Sequence, residues 1–119
     1  MSTDKSSRIL LHAFHVLLAV VLVLSLLPPS TPMPTTGWDK SNHLLGFALL
    51  GWVGTMAHPT HAVRVIAGLL AYGALVEVLQ SLTPYRLAEW GDLLADGLGA
   101  VLGAAIARLQ ARLRTPAQR

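Results

Sequence analysis

EVLQSLTPYRLAEWGDLLAD, Glu77 to Asp96, is the stretch on which the reading of this chain turns. It gathers Glu77, Glu89, Asp92 and Asp96 with Gln80 and Arg86, in a protein of which only 13% of residues are charged. Apolar runs flank it on both sides. Proline fixes its own φ and offers no N–H, so Thr83-Pro84-Tyr85 breaks a helix. The stretch therefore joins two apolar helices at their polar ends. Ionisable groups at such a boundary are costly, and by default they mark a site.

Outward from there, composition points to a membrane. The 119 residues are 53% hydrophobic, with a mean hydropathy of +0.54. Apolar residues fall into four blocks, near 9–27, 39–56, 64–82 and 92–109, each close to the roughly 20 residues that cross a bilayer. Lys5 and Arg8 precede the first block as they would in a signal peptide. The block is too long for one, and prolines follow where a small-x-small cleavage site would stand, so it reads as a retained helix. Trp38 suits the headgroup level. His58-Pro59-Thr60-His61 reads as a turn, and Leu87–Trp90 as a short interfacial helix. The expected fold is all-α, a single domain over residues 1–119 built as a four-helix transmembrane bundle. The absence of cysteine excludes disulfides and thiolate metal sites.

Basic residues set the expected orientation. Four crossings put Lys5, Arg8, Arg64, Arg108, Arg112, Arg114 and Arg119 on one side, leaving only Lys40 and Arg86 of the nine on the other. Positive loops stay inside, so both termini are expected in the cytoplasm. Of the six acids, all but Asp4 then lie at the outer ends of the helices or between them. Helical spacing groups them further. Asp39 and His43 are one turn apart, and Glu77 and Gln80 share a face. Asp92, Asp96, Gly99 and Gly103 form one stripe. The Gly99-x-x-x-Gly103 pair admits a close helix, most simply one of the same bundle.

The pattern Asp39-Lys40-x-x-His43-x-x-x-Phe47, then Glu77-x-x-Gln80, Arg86, Asp92 and the glycines after it resembles the VanZ-like family of small bacterial membrane proteins. The likeness covers about Trp38 to Gly103. It implies an inner-membrane protein of the cell envelope, with an antibiotic-resistance context: the founding member is associated with low-level resistance to the glycopeptide teicoplanin. Asp96 departs from the pattern, standing where many members carry Asn.

What the outer layer does is open to three readings. The five outer acids face two permanent cations, and that excess needs a protonated acid, a charged His43 or a divalent cation. The first reading is a binding site for an envelope headgroup, lipid-linked or glycopeptide-type. Asp39, Lys40, His43, Glu77, Gln80, Arg86, Asp92 and Asp96 would line it, with Arg86 and Lys40 meeting an anionic group. The second is a membrane-embedded enzyme with Glu77 and His43 as acid–base pair, or with a magnesium, manganese or zinc ion held by Asp39, His43, Glu77, Asp92 and Asp96. The third is structural, with Lys40 and Arg86 pairing acids to hold helix ends together. In the ion-pair reading Arg86 serves Glu77, and Lys40 serves Asp39 or Asp92. No phosphate loop, nucleophile elbow or basic-aromatic interleaving for nucleic acid is present.

Overall fold

The computed structural model of the chain describes residues 3–28, 30, 37, 39–85 and 89–114. Every regular element among them is a helix: α1 (Thr3–Leu26), α2 (Asp39–Ala57), α3 (Ala62–Ser81) and α4 (Trp90–Leu113). These are the four expected helices, longer at several ends than the apolar blocks. Apolar patterning reports the part of a helix that meets an apolar surface, and polar end turns escape it. At the start of α1, Asp4 and Arg8 extend the helix with an exposed i,i+4 ion pair at 2.9 Å. Trp38 and residues 87–88 lie outside the described residues, and Trp90 opens α4.

Among the described residues, two helices are long and apolar enough to cross a membrane: Asp4–Leu26, whose most apolar 18 residues have a mean hydropathy of 2.6, and Ala62–Ser81, where they reach 1.9. α2 is only 19 residues long, so its polar opening of Asp39, Lys40, Ser41, Asn42 and His43 enters any span-length stretch, and α4 carries Asp92, Asp96, Arg108 and Arg112. All four helices turn large apolar side chains outward, among them Val16, Leu49, Leu75 and Leu98. A belt of that kind is compatible with lipid around the bundle.

The interior is built on α2 and α4. The buried stripe of α4 is Asp92, Asp96, Gly99, Ala100, Gly103, Ala104 and Ala107, so the stripe anticipated from spacing does turn inward. A Cβ at Gly99 would strike the Leu44 carbonyl, and one at Gly103 the Ala48 carbonyl and the Trp52 amide nitrogen. Gly51 of α2 meets the Ala100 backbone in the same way. The glycine pair is thus used within the chain, letting two backbones touch. Phe47, Leu50, Val65, Leu69 and Ala100 form the apolar core beside this seam, with Phe14, Leu17, Leu18 and Val21 of α1 packed on it. No α1–α4 contact occurs among the described residues, so α1 covers the side of α2 and α3 away from α4.

Candidate functional site

While Thr55 is a buried hydroxyl toward one end of the core, the buried ionisable side chains among the described residues gather at the other. The opening turns of α2, the last turns of α3 and the first turns of α4 meet there. They bury His43, Glu77, Gln80, Asp92 and Asp96, the last with no exposed surface at all. Asp39 and Asp92 lie in first turns, where the positive end of a helix dipole favours a carboxylate.

His43 is the hub. Its Nδ1 lies 2.7 Å from Asp96 Oδ1, and with Asp96 ionised the carboxylate only accepts, so that the Nδ1–H donates. On the other side of the ring, Nε2 lies 3.6 Å from Asp39 Oδ2 and 3.9 Å from Asp92 Oδ2. Those separations exceed a hydrogen bond. Gly73 makes room for Asp96: a Cβ there would stand 2.9 Å from Asp96 Oδ2.

Lys40 Nζ donates to Glu89 Oε2 at 2.6 Å and stands 3.5 Å from Asp92 Oδ1. Its stem lies across Gly91, where a Cβ would come within 2.7 Å of Lys40 Cε. The ammonium holds the Glu89 carboxyl below its ordinary range. Glu77 Oε2 accepts the backbone N–H of Glu89, at the N-cap of α4, at 3.2 Å. Glu77 Oε1, Asp92 Oδ1 and Asp96 Oδ2 are buried without a hydrogen-bond donor. Gln80 Nε2 donates to the Ser25 carbonyl at 2.7 Å, which ties α3 to α1.

Of the eight site residues expected from sequence, Asp39, Lys40, His43, Glu77, Asp92 and Asp96 come together, while the Gln80 amide turns to α1. Arg86 lies outside the described residues, and with it the Glu77–Arg86 pair. Lys40 does approach Asp92, yet its nearest acid is Glu89. Glu89 was noticed in the outer layer but given no role. Gly73 was missed, although it stands one turn before Glu77 on the same face, the available signal. Two sets of ligand atoms lie within 4.8 Å of one another, Asp39–His43–Asp92 and His43–Glu77–Asp96, and either could hold a metal ion.

Beside this cluster a groove of about 320 Å³ runs between α3 and α4, lined by Ala74, Glu77, Val78, Glu89, Trp90 and Leu93 among others. Its walls are mainly apolar, with Glu77, Ser81 and Glu89 as the polar side chains among them. A family model described as VanZ/LLP1 matches residues 2–111. No curated protein and no solved structure matches the chain. The family match spans nearly the whole sequence, and the protein belongs to the VanZ/LLP1 family.

Proposed function

We propose that this member of the VanZ/LLP1 family is a multi-pass protein of the bacterial inner membrane that binds an envelope-related headgroup at an outward-facing polar site. The headgroup belongs to a lipid-linked precursor or a glycopeptide-type ligand. All four helices cross the membrane in this reading, with both termini inside. The observation that carries it is the groove between α3 and α4: mainly apolar, with Glu77, Ser81 and Glu89 as its polar lining, it offers both parts of an amphiphile a surface. The partnerless Glu77 Oε1 would accept from a sugar hydroxyl or amide, and Lys40 would meet an anionic group. The resistance context enters through the family name alone.

Orientation is tested first. Ser30→Cys and Thr83→Cys are expected to react in intact cells with an impermeant thiol reagent, and Thr60→Cys only after lysis. Reaction of Thr60→Cys in intact cells would place the site in the cytoplasm and end the outward reading.

Binding is tested on the purified chain in nanodiscs, with an undecaprenyl-pyrophosphate-linked saccharide and with teicoplanin as probes. One of them is expected to bind, with Glu77→Gln and Lys40→Gln each weakening it about tenfold, the size of one lost charge-assisted hydrogen bond. Binding of neither probe, or binding by both variants as tight as by the wild type, counts against the proposal. The buried Asp96–His43 dyad favours a second reading, a membrane-embedded enzyme whose imidazole is oriented as a general base. Product formed from the saccharide probe, and lost in His43→Gln with binding kept, would select it.

A further inference from the structure

We infer that Asp39, His43 and Asp92 form a binding site for one divalent transition-metal ion, with Asp96 orienting the imidazole from behind. The inference goes beyond headgroup binding, since the ion is held by the protein alone.

The tautomer is the starting point. With Nδ1–H given to Asp96 at 2.7 Å, Nε2 presents its lone pair to the space between Asp39 and Asp92. A lone pair facing two carboxylates is repelled by both unless Nε2 takes up a proton or a cation lies between them, and the spacing and burial bear on the second. The spacing suits such a cation. Nε2 stands 3.6 and 3.9 Å from the two carboxylate oxygens. Ligands bound to one tetrahedral ion at ordinary zinc distances stand about 3.4 Å apart. Nε2 therefore needs to close on each oxygen by only a few tenths of an ångström, and all three ligand atoms already lie within 4.8 Å of one another.

Two more observations point the same way. Asp92 is 3% exposed, and its Oδ1 has no hydrogen-bond donor. Lys40 Nζ, already bonded to Glu89, stands 3.5 Å from that oxygen. The carboxylate behind the imidazole is also the arrangement found around metal-ligating histidines, where it sets the tautomer and raises ligand basicity. The alternative triad, His43–Glu77–Asp96, is less suited. There the ion would have to enter between Nδ1 and Asp96 Oδ1, which already stand at hydrogen-bond distance.

Two carboxylates with one imidazole suit manganese or zinc. Three protein ligands leave positions open, as in metal sites that bind a further molecule. The Asp39 side chain is 54% exposed, so those positions are reached from the loop end of the bundle. A phosphate or carboxylate could occupy them, beside Lys40.

The test uses the full chain in phosphatidylcholine nanodiscs without any envelope precursor, so failure of the ion site and failure of the headgroup reading are separable. After chelator treatment, Mn²⁺ binding is followed by loss of the free-ion paramagnetic resonance signal, with Zn²⁺ as competitor. One ion per chain is expected. Asp39→Asn and Asp92→Asn should each weaken binding at least about tenfold, and Asp96→Asn about 10–100-fold, the range for an outer-shell partner. A packing role for Asp96 would leave ion affinity in place. Glu77→Gln should weaken binding clearly less than Asp92→Asn does, because Glu77 is not one of the three ligands. Asp39 lies at the exposed end, so Asp39→Asn should fold and decide the matter if other variants do not. No binding up to millimolar Mn²⁺ or Zn²⁺, or unchanged affinity in folded Asp39→Asn, overturns the site. So does a loss in Glu77→Gln as large as in Asp92→Asn, which would move the ion to the other triad.

Discussion

Gly103→Leu is expected to abolish the native bundle. The new side chain would begin inside the Ala48 carbonyl and against the Trp52 amide nitrogen, both main-chain atoms of α2. Extra methylenes in a packed core cost about 1–3 kcal/mol when side chains can shift aside. Backbone cannot shift without parting the helices, so the cost here should exceed that range. Parting α2 from α4 would also pull His43 from Asp96, since one belongs to each helix. Gly103→Ala should behave similarly in milder form. Gly68 is the control: a Cβ there meets nothing within 4 Å, and Gly68→Ala in mid-helix should be neutral or stabilise by up to about 1 kcal/mol. Unfolding in detergent, followed by near-ultraviolet circular dichroism, reads all three. A Gly103→Leu protein that melts with the wild type would show that the α2–α4 seam is not as tight as the helix contacts require.

That seam also marks how far the sequence could be read. Spacing alone put Asp92, Asp96, Gly99 and Gly103 on one stripe, and a stripe of acids and glycines in an apolar helix has nowhere to go but inward. The cluster of Asp39, His43, Glu77 and the α4 acids was legible for the same reason. Pairing was not. Which cation meets which acid depends on side-chain reach across helices, and Lys40 reaches Glu89 because Gly91 leaves a path for its stem. Gln80 looked like a site residue from its place one turn after Glu77. Its amide instead finds the Ser25 carbonyl near the end of α1, a partner no local pattern announces. Charge arithmetic was incomplete as well. Counting five acids against two permanent cations left out the two helix N-termini, whose partial positive charge lies under Asp39 and Asp92. The membrane reading came from apolar blocks, and α1 and α3, which each hold a long apolar stretch clear of their polar turns, meet the length and hydropathy for a span.

The buried dyad should show the strongest coupling between any two side chains in the protein. Asp96 is fully buried, and His43 is 9% exposed, so neither can fall back on water when its partner goes. Removing one member of a buried charged pair typically costs about 3–5 kcal/mol, because the other is left without compensation. Asp96→Leu and His43→Leu are each expected in that range when measured without metal. The double variant should recover a large part of the loss, since two leucines leave no orphaned polar group between the helices. The cycle should therefore return an interaction of at least about 1.5 kcal/mol. Asp96→Asn separates acceptor from charge: its amide oxygen can still receive the Nδ1–H, so most of the stability should remain. Lys40→Gln gives the scale of an exposed pair, where about 0–1 kcal/mol is at stake. Denaturant unfolding of the four single variants and the double, in one lipid or detergent and with a chelator present, supplies every term. Strict additivity of the two leucine variants would mean that something other than His43 holds Asp96. The imidazole would then lose its fixed tautomer, and both the acid–base reading and the ion site would lose their common foundation.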